Sequence, residues 1–132
     1  MKFVLQGEYS TLNEYSDAER MHYRYGAAIK KAETQRAALE LKPQWDGTEV
    51  TKSYFKFTWY RKNRRTDPGN IAFSEKFILD GMQEAGIIPN DGWKQVKGYI
   101  HDFEVDKDSP RVEIELISIY ELECPFCGYY GD

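Results

Sequence analysis

The segment between residues 50 and 67 combines positive charge with aromatic rings. Every charged side chain between Val50 and Asp67 is basic, and aromatic residues occupy positions 54, 55, 57, 59 and 60. The basic residues are Lys52, Lys56, Arg61, Lys62, Arg64 and Arg65. Such a run can contact nucleic-acid phosphates whatever the net charge of the chain. A solvated strand edge followed by a loop is the alternative interpretation of the same composition.

A second chemically suggestive spacing is the pair Cys124 and Cys127, separated by two residues. This spacing is typical of one half of a zinc site, whereas a structural zinc ion usually takes four ligands. His22 and His101 are distant in sequence, so folding or a partner subunit would have to supply the remaining ligands. The alternative is a pair of free thiols in a loosely ordered acidic tail at residues 120–132.

Charge is unevenly distributed along the chain, which has 132 residues and a net charge of −4. Residues 101–132 contain nine acidic and two basic residues, so the first hundred residues are net positive. The overall acidity therefore does not exclude a nucleic acid as partner. The acidic tail would shield the basic surface from non-specific DNA.

Length and composition predict one folded domain, at residues 1–119. No stretch approaches the roughly 18 consecutive apolar residues of a membrane-spanning helix, and residues 1–10 lack the pattern of a signal peptide. Two cysteines cannot build a disulfide framework. We therefore expect a cytoplasmic protein with no membrane association.

The hydrophobic pattern predicts the elements that position the basic segment. Lys2–Gln6 is typical of a strand. Thr11 and Glu14 have the capping-box spacing of a helix start. Apolar residues then recur every three or four positions as far as Leu39, which predicts one continuous helix of about seven turns.

The basic segment itself predicts a strand and a loop. Residues 49–60 alternate with period two, so the rings at positions 55, 57 and 59 share one face. Asp67 and Pro68 are typical of the start of a second helix, which would end at Gly86. Its buried stripe would consist of Ile71, Ile78, Met82 and Ala85.

Two further strands, at residues 94–105 and 111–119, flank a turn at residues 106–110. The order of elements is then strand, helix, strand, helix, strand, strand. This order predicts an α+β fold, a single domain with a mixed β-sheet on which two main helices pack.

Three motifs in the middle of the chain are specific enough for comparison with a known family. They are Arg64-Arg65-Thr66-Asp67-Pro68-Gly69-Asn70-Ile71-Ala72-Phe73, Lys76-Phe77-Ile78-Leu79-Asp80-Gly81-Met82 and Ala85-Gly86-Ile87-Ile88-Pro89-Asn90-Asp91-Gly92-Trp93. Together they resemble the RusA-type Holliday junction resolvases of phages and prophages, with a likeness that extends over about residues 3–118. The resemblance implies a homodimeric, magnesium-dependent endonuclease that resolves four-way DNA junctions by symmetric phosphodiester hydrolysis in recombination and repair, with manganese as a substitute metal.

The resemblance also implies roles for particular residues. The family's loop carries two acids and an amide, which fall on Asp67, Gly69 and Asn70, so one expected carboxylate is missing. The family's helix lysine falls on Lys76, and its later acid falls on Asp91. The implied site has Asp67, Lys76 and Asp91 as catalytic residues, with the two aspartates holding the metal. Asn70 and the six basic residues would contact DNA.

Known chemistry explains why such residues are needed. Magnesium prefers oxygen ligands, usually one or two carboxylates with water and substrate phosphates. The ion lowers the pKa of its bound water, while Lys76 would place a positive charge near the attacked phosphate or the leaving oxygen. Two equivalent cuts in a junction match the two-fold symmetry of a dimer.

Each of these residues also has an ordinary structural interpretation. Asp67 would only cap a helix, Lys76 and Asp80 would form an exposed pair four residues apart, and Asp91 would be a turn residue. Glu75 either replaces the missing acid or interacts with the helix dipole. Three functions stay open: an active junction endonuclease, a junction-binding dimer impaired in catalysis, and a protein that shares only the fold.

Overall fold

The strands form one mixed sheet in the computed structural model, which describes residues 1–121. They are β1 (Lys2–Gln6), β2 (Ser53–Arg61), β3 (Val96–Val105) and β4 (Arg111–Ser118), in the spatial order β1-β4-β2-β3. Strand β4 is antiparallel to both β1 and β2, whereas β2 and β3 are parallel. The predicted mixed α+β architecture is confirmed. Cys124 and Cys127 lie outside the described residues.

The helix predicted to run unbroken from residue 12 is divided in two, α1 (Leu12–Met21) and α2 (Tyr23–Leu41). Between them His22 has an extended backbone, with φ −169° and ψ 138°. Its ring Nδ1 accepts a hydrogen bond from the N–H of Arg24 at 3.1 Å and so caps α2. The prediction of one continuous helix was therefore wrong, because a side-chain cap at a single residue breaks the helix without disturbing the apolar periodicity.

Other local predictions are confirmed. Thr11 Oγ1 accepts from the N–H of Glu14 at 3.2 Å, and the Glu14 carboxylate accepts from the N–H of Thr11 at 3.3 Å, which forms the expected capping box. The chain also leaves the helix at Gly86, where φ is +80°. The N–H of Ile87 bonds to the carbonyl of Met82 at 2.9 Å, a helix ending that favours glycine.

The second predicted helix is also divided, into α3 (Pro68–Ala72) and α4 (Glu75–Glu84). The interruption lies at Phe73 and Ser74. Ser74 is fully buried, and its hydroxyl donates to the carbonyl of Ser10 in the loop before α1. The two main helices of the prediction are thus four α-helices within residues 1–121. None of these helices is long and apolar enough to cross a membrane.

The core lies on one face of the sheet, as the alternation of β2 predicts. Buried residues of the strands pack with buried residues of α2 and α4 in a single cluster. Its strand members include Phe3, Leu5, Phe55, Phe57, Trp59, Val112, Ile114 and Leu116. A β-carbon added at Gly81 of α4 would lie 2.7 Å from Cβ of Ala37 and 3.1 Å from the backbone nitrogen of Ala38. The absence of a side chain at this position allows α4 to pack closely on α2.

Strands β3 and β4 follow each other in sequence but do not pair. The five residues 106–110 cross the end of β2, and β4 then inserts between β2 and β1. Strand β3 is consequently at the edge of the sheet and pairs with β2 along its whole length, from Ser53 opposite Val96 to Arg61 opposite Val105. This edge carries most of the candidate site.

Candidate functional site

The loop after β2 and the end of β3 enclose a groove of about 290 Å³. Asp67, Arg61 and Arg64 line this groove together with Phe103 and Val105. The backbone of Asp67 begins α3, but its side chain makes no capping hydrogen bond and is exposed. The carboxylate is therefore not used to hold the helix start and is accessible from the groove.

Gly69 and Asn70 follow in the first turn of α3. Apart from its chain neighbours and its own helix backbone, no atom of residues 1–121 lies within 4 Å of the position that a β-carbon at Gly69 would take. The N–H of Asn70 donates to the carbonyl of Asp67 at 3.0 Å, which fixes the turn. The missing carboxylate therefore leaves open space, and nothing in the fold requires glycine here.

Lys76, in the first turn of α4, lies between two carboxylates. Its Nζ donates to Oδ2 of Asp91 at 2.8 Å and lies 3.3 Å from Oδ1 of Asp80. The contact with Asp91 joins α4 to the loop before β3. The hydrogen bond to Asp91 raises the pKa of Lys76, so the ammonium group stays charged well above neutral pH. Since the lysine side chain is 57% exposed, its charge remains accessible to a ligand.

Trp59, His101 and Glu75 form a line of contacts beside this pair. Trp59 Nε1 donates to Nδ1 of His101 at 3.0 Å. Nδ1 must therefore lack a proton, and the neutral imidazole carries its proton on Nε2. That Nε2 lies 3.4 Å from Oε2 of Glu75. The histidine ring thus lies beside one carboxylate oxygen of Glu75.

The second oxygen of Glu75, Oε1, is buried and has no hydrogen-bond partner within residues 1–121. A buried acceptor without a donor is unfavourable, by about 1 to 3 kcal/mol or more for a charged group. A cation beside it would remove this penalty. Glu75 therefore has one carboxylate oxygen that no donor within residues 1–121 satisfies.

Neighbouring residues of β3 show where the three acids lie along the edge of the sheet. Asp67 shares its groove with Phe103, Glu75 contacts His101, and Asp91 shares a second groove with Tyr99. These β3 residues alternate along one face of the strand, with about 13 Å between the first and the last. Glu75 accordingly lies between the two aspartates.

The pKa of Tyr99 agrees with the placement of Glu75 and Asp91 near this part of β3. Burial raises the pKa of its phenol, and the negative charges of Glu75 and Asp91 raise it further.

Within residues 1–121, no three His, Cys, Asp or Glu side chains are grouped so as to hold a metal ion. The acids are therefore arranged in a row and not around one point.

The six basic residues between Val50 and Asp67 do not form one surface. Lys52 precedes β2, and Lys56 lies on the uncovered face of the sheet, 3.6 Å from Asp102. Arg61 is only 12% exposed and lies 3.4 Å from Glu8. The exposed cations of the loop are Lys62, Arg64 and Arg65. Only this last group adjoins the groove of Asp67 while remaining accessible.

His101 and Trp59 were missed as partners of the site by sequence reasoning. Trp59 lies in the core stripe of β2, as the alternation predicts, and its indole nitrogen also bonds to His101. Positions 99, 101 and 103 alternate aromatic, histidine, aromatic, and in a strand that neighbours β2 this pattern places His101 beside the tryptophan. That alternation is the sequence signal that indicates the contact between His101 and Trp59.

Comparison with protein-family models and with curated proteins found no match to this chain. Function is therefore inferred from the residues and their geometry.

Proposed function

We propose that this protein is a metal-dependent endonuclease that binds four-way DNA junctions and cuts them symmetrically as a homodimer. The observation that supports this proposal is the contact of Lys76 with Asp91 at 2.8 Å, adjacent to Glu75 with its unpartnered carboxylate oxygen. An accessible ammonium group next to acids at the edge of a sheet is suited to phosphodiester hydrolysis. The resemblance of residues 64–93 to RusA-type resolvases points to the same chemistry.

The residues present fit a magnesium ion by their chemistry. Magnesium needs only one or two carboxylates, because water and substrate phosphates complete its coordination. Asp67 and Asp91 are the ligands implied by the resemblance, and Glu75 lies between them with a free oxygen. When bound, the ion would polarise a phosphate oxygen and lower the pKa of a water molecule. Manganese has the same ligand preference and would substitute.

Lys76 supplies the fixed positive charge of the site. Its raised pKa keeps the ammonium protonated throughout the neutral range, so it stabilises negative charge on the phosphate without itself titrating. Asp91 and Asp80 orient the side chain from two directions. His101 lies beside Glu75, with Nε2 3.4 Å from Oε2 of the carboxylate.

Binding of DNA would depend on the loop cations. Lys62, Arg64 and Arg65 are exposed and form no ion pair within residues 1–121. They belong to the loop that borders the groove of Asp67. A DNA backbone whose phosphates they contact would therefore run past the acids along β3. Two copies related by a two-fold axis would present two such sites, one for each cut.

A second function is favoured by one specific observation. Position 69 is open and carries no carboxylate, and the acids of residues 1–121 are not gathered around one point. A junction-binding dimer with weak or absent cleavage would have this arrangement. Such a protein would act by holding the junction, because Lys and Arg contacts to phosphate do not depend on a metal.

A metal titration on a synthetic four-way junction distinguishes these functions. Binding and nicking are scored separately, with a linear duplex of the same sequence as the matched substrate. An endonuclease gives paired nicks at symmetric positions that depend on magnesium or manganese. Junction binding without nicking at any metal concentration assigns the second function. Equal affinity for junction and duplex, or no affinity for either, contradicts both.

A further inference from the structure

Trp93 is the most exposed large hydrophobic side chain within residues 1–121, at 90% of its full accessibility. Trp59, by contrast, is 2% exposed, and the indole of Trp45 donates to the carbonyl of Thr48 at 2.9 Å. An indole left in water gains nothing for the stability of the fold, because no apolar surface is buried. Its position therefore needs another explanation.

A second aromatic ring and a lysine accompany Trp93. Tyr99 and Lys97 line the same shallow groove, which has a volume of about 280 Å³. Lys97 and the neighbouring Lys94 are both exposed, and neither forms an ion pair within the described part of the chain. Two rings and an ammonium group in an open groove match the composition of sites that stack bases and contact phosphates of single-stranded nucleic acid.

The groove adjoins the candidate site. Asp91 lines it as well and contacts Lys76 at 2.8 Å. Gly92 separates Asp91 from Trp93, so the indole is only two residues from the proposed chemistry. A ligand in this groove would therefore extend from a phosphate near Lys76 to a base against the indole.

A second copy of the chain is the competing occupant. Stable protein interfaces bury about 800 Å² on each partner, and their buried centres are depleted of lysine. Trp93 is instead flanked by Lys94 and lies beside Lys97. These surroundings suit a ligand that carries both a flat π-system and negative charge. A nucleotide has both.

We propose that Trp93 and Tyr99 form a subsite that stacks one unpaired base at the branch point of a junction, with Lys97 on the adjoining phosphate. This inference rests on the proposed function and deepens it. A continuous duplex keeps all of its bases stacked in pairs, whereas a branch point allows one to turn outward. The subsite would therefore select branched over linear DNA.

The test measures binding in the absence of divalent cations, so that cleavage does not interfere. A four-way junction with 2-aminopurine at the branch point is compared with a linear duplex of the same sequence. We expect Trp93→Ala to weaken junction binding about tenfold, to leave duplex binding unchanged and to abolish the fluorescence change of the 2-aminopurine. Trp93→Phe keeps an aromatic face and should retain most of the affinity.

Tyr120→Ala is the matched control. Tyr120 is also exposed, at 61%, but it lines a groove with Asp46, Glu49 and Glu121, whose charge disfavours DNA. We expect this variant to bind the junction like the unmodified protein. Both variants should unfold at the temperature of the unmodified protein, because neither ring is buried.

Three outcomes overturn the inference. Equal junction affinity for the unmodified protein and Trp93→Ala removes the subsite but leaves the proposed function intact. A change of oligomeric state in Trp93→Ala, measured by sedimentation, assigns the indole to an interface between copies. No junction binding by the unmodified protein contradicts the proposed function and the subsite together.

Discussion

Two polar clusters of the molecule, one around Arg36 and one around Lys76, hold their charged groups in different ways. Arg36 of α2 donates to the backbone carbonyls of Glu8 at 3.1 Å and Gln6 at 2.6 Å, and it lies over the ring of Tyr9 at 4.0 Å. Within residues 1–121, the polar contacts of Lys76 in α4 are with side chains, those of Asp80 and Asp91. The arginine is bound to the main chain and the lysine is not.

The difference separates a structural role from a functional one. A cation bonded to backbone carbonyls fixes the path of the chain, so its removal takes a charged donor away from those acceptors. A cation held by carboxylate side chains can exchange one of them for a phosphate without disturbing the fold. Arg61 belongs with the first kind, because it contacts Glu8 and donates to the carbonyl of Tyr9 at 3.4 Å.

The largest expected effect concerns the chemistry of the Lys76 cluster. Asp91→Asn should reduce nicking of a four-way junction about 1,000-fold in single-turnover assays, since it removes the proposed metal ligand and with it several kcal/mol of charge stabilisation. The unfolding midpoint and junction affinity should change little. Asp80→Asn removes the other partner of Lys76 and should have a much smaller effect. Comparable cutting by Asp91→Asn and the unmodified protein would place the reaction elsewhere.

The next prediction concerns the stability of the fold instead of the cutting of DNA. Arg36→Met should lower the free energy of unfolding by about 2 kcal/mol, because the carbonyls of Gln6 and Glu8 lose a charged donor. Lys76→Met should lower it by less than about 1 kcal/mol, because that side chain is largely exposed. Urea denaturation of both variants measures the two values. Equal values would abolish the distinction between the clusters.

Much of this arrangement was predictable from local sequence signals, and the remainder was not, for physical reasons. The capping box at Thr11 and the glycine stop at Gly86 depend on neighbours within a few residues, so the sequence specifies them. The break at His22 depends on a ring nitrogen that caps α2, and apolar periodicity carries no trace of it. The separation of β3 from β4 depends on the insertion of β2, which a short turn between strands does not indicate.

The candidate site shows the same limit. Lys76 and Asp80 are four residues apart on a helix, so their proximity follows from helix geometry. The hydrogen bond from Trp59 to His101 spans 42 residues and exists only because β2 and β3 are parallel neighbours. The accessibility of a cation is equally non-local. Arg61 is largely covered because it contacts Glu8, which lies more than fifty residues earlier in the sequence.

A third prediction tests whether the site is incomplete. Gly69→Asp should increase nicking about tenfold at low magnesium, since it restores an anionic ligand in open space next to Asp67. Gly69→Asn has the same shape without the charge and serves as the control. Junction affinity should be nearly equal in all three proteins. No gain from Gly69→Asp would indicate that Glu75 already completes the site.

The smallest expected effect concerns the electrostatics of binding. The slope of log affinity against log salt should become shallower by about 0.9 for each phosphate contact removed. Arg64→Ala and Arg65→Ala should each produce this change. Lys56→Ala should not, because Lys56 is 3.6 Å from Asp102 on the other face of the sheet. An equal change in all three variants would mean that DNA covers both faces.

The insertion of β4 between β1 and β2 has a consequence for how the chain folds. Strand β1 pairs only with β4 within residues 1–121, and the pair Lys2 and Glu115 joins positions more than a hundred residues apart. Closing so large a loop carries an entropic penalty before any contact compensates for it, and high contact order slows folding. On a ribosome, β1 would emerge first and remain without a partner until β4 had left the exit tunnel. The sheet would therefore be completed only after β4 had been made, and until then β1 would depend on its charged Lys2 and on chaperones to avoid pairing with other chains.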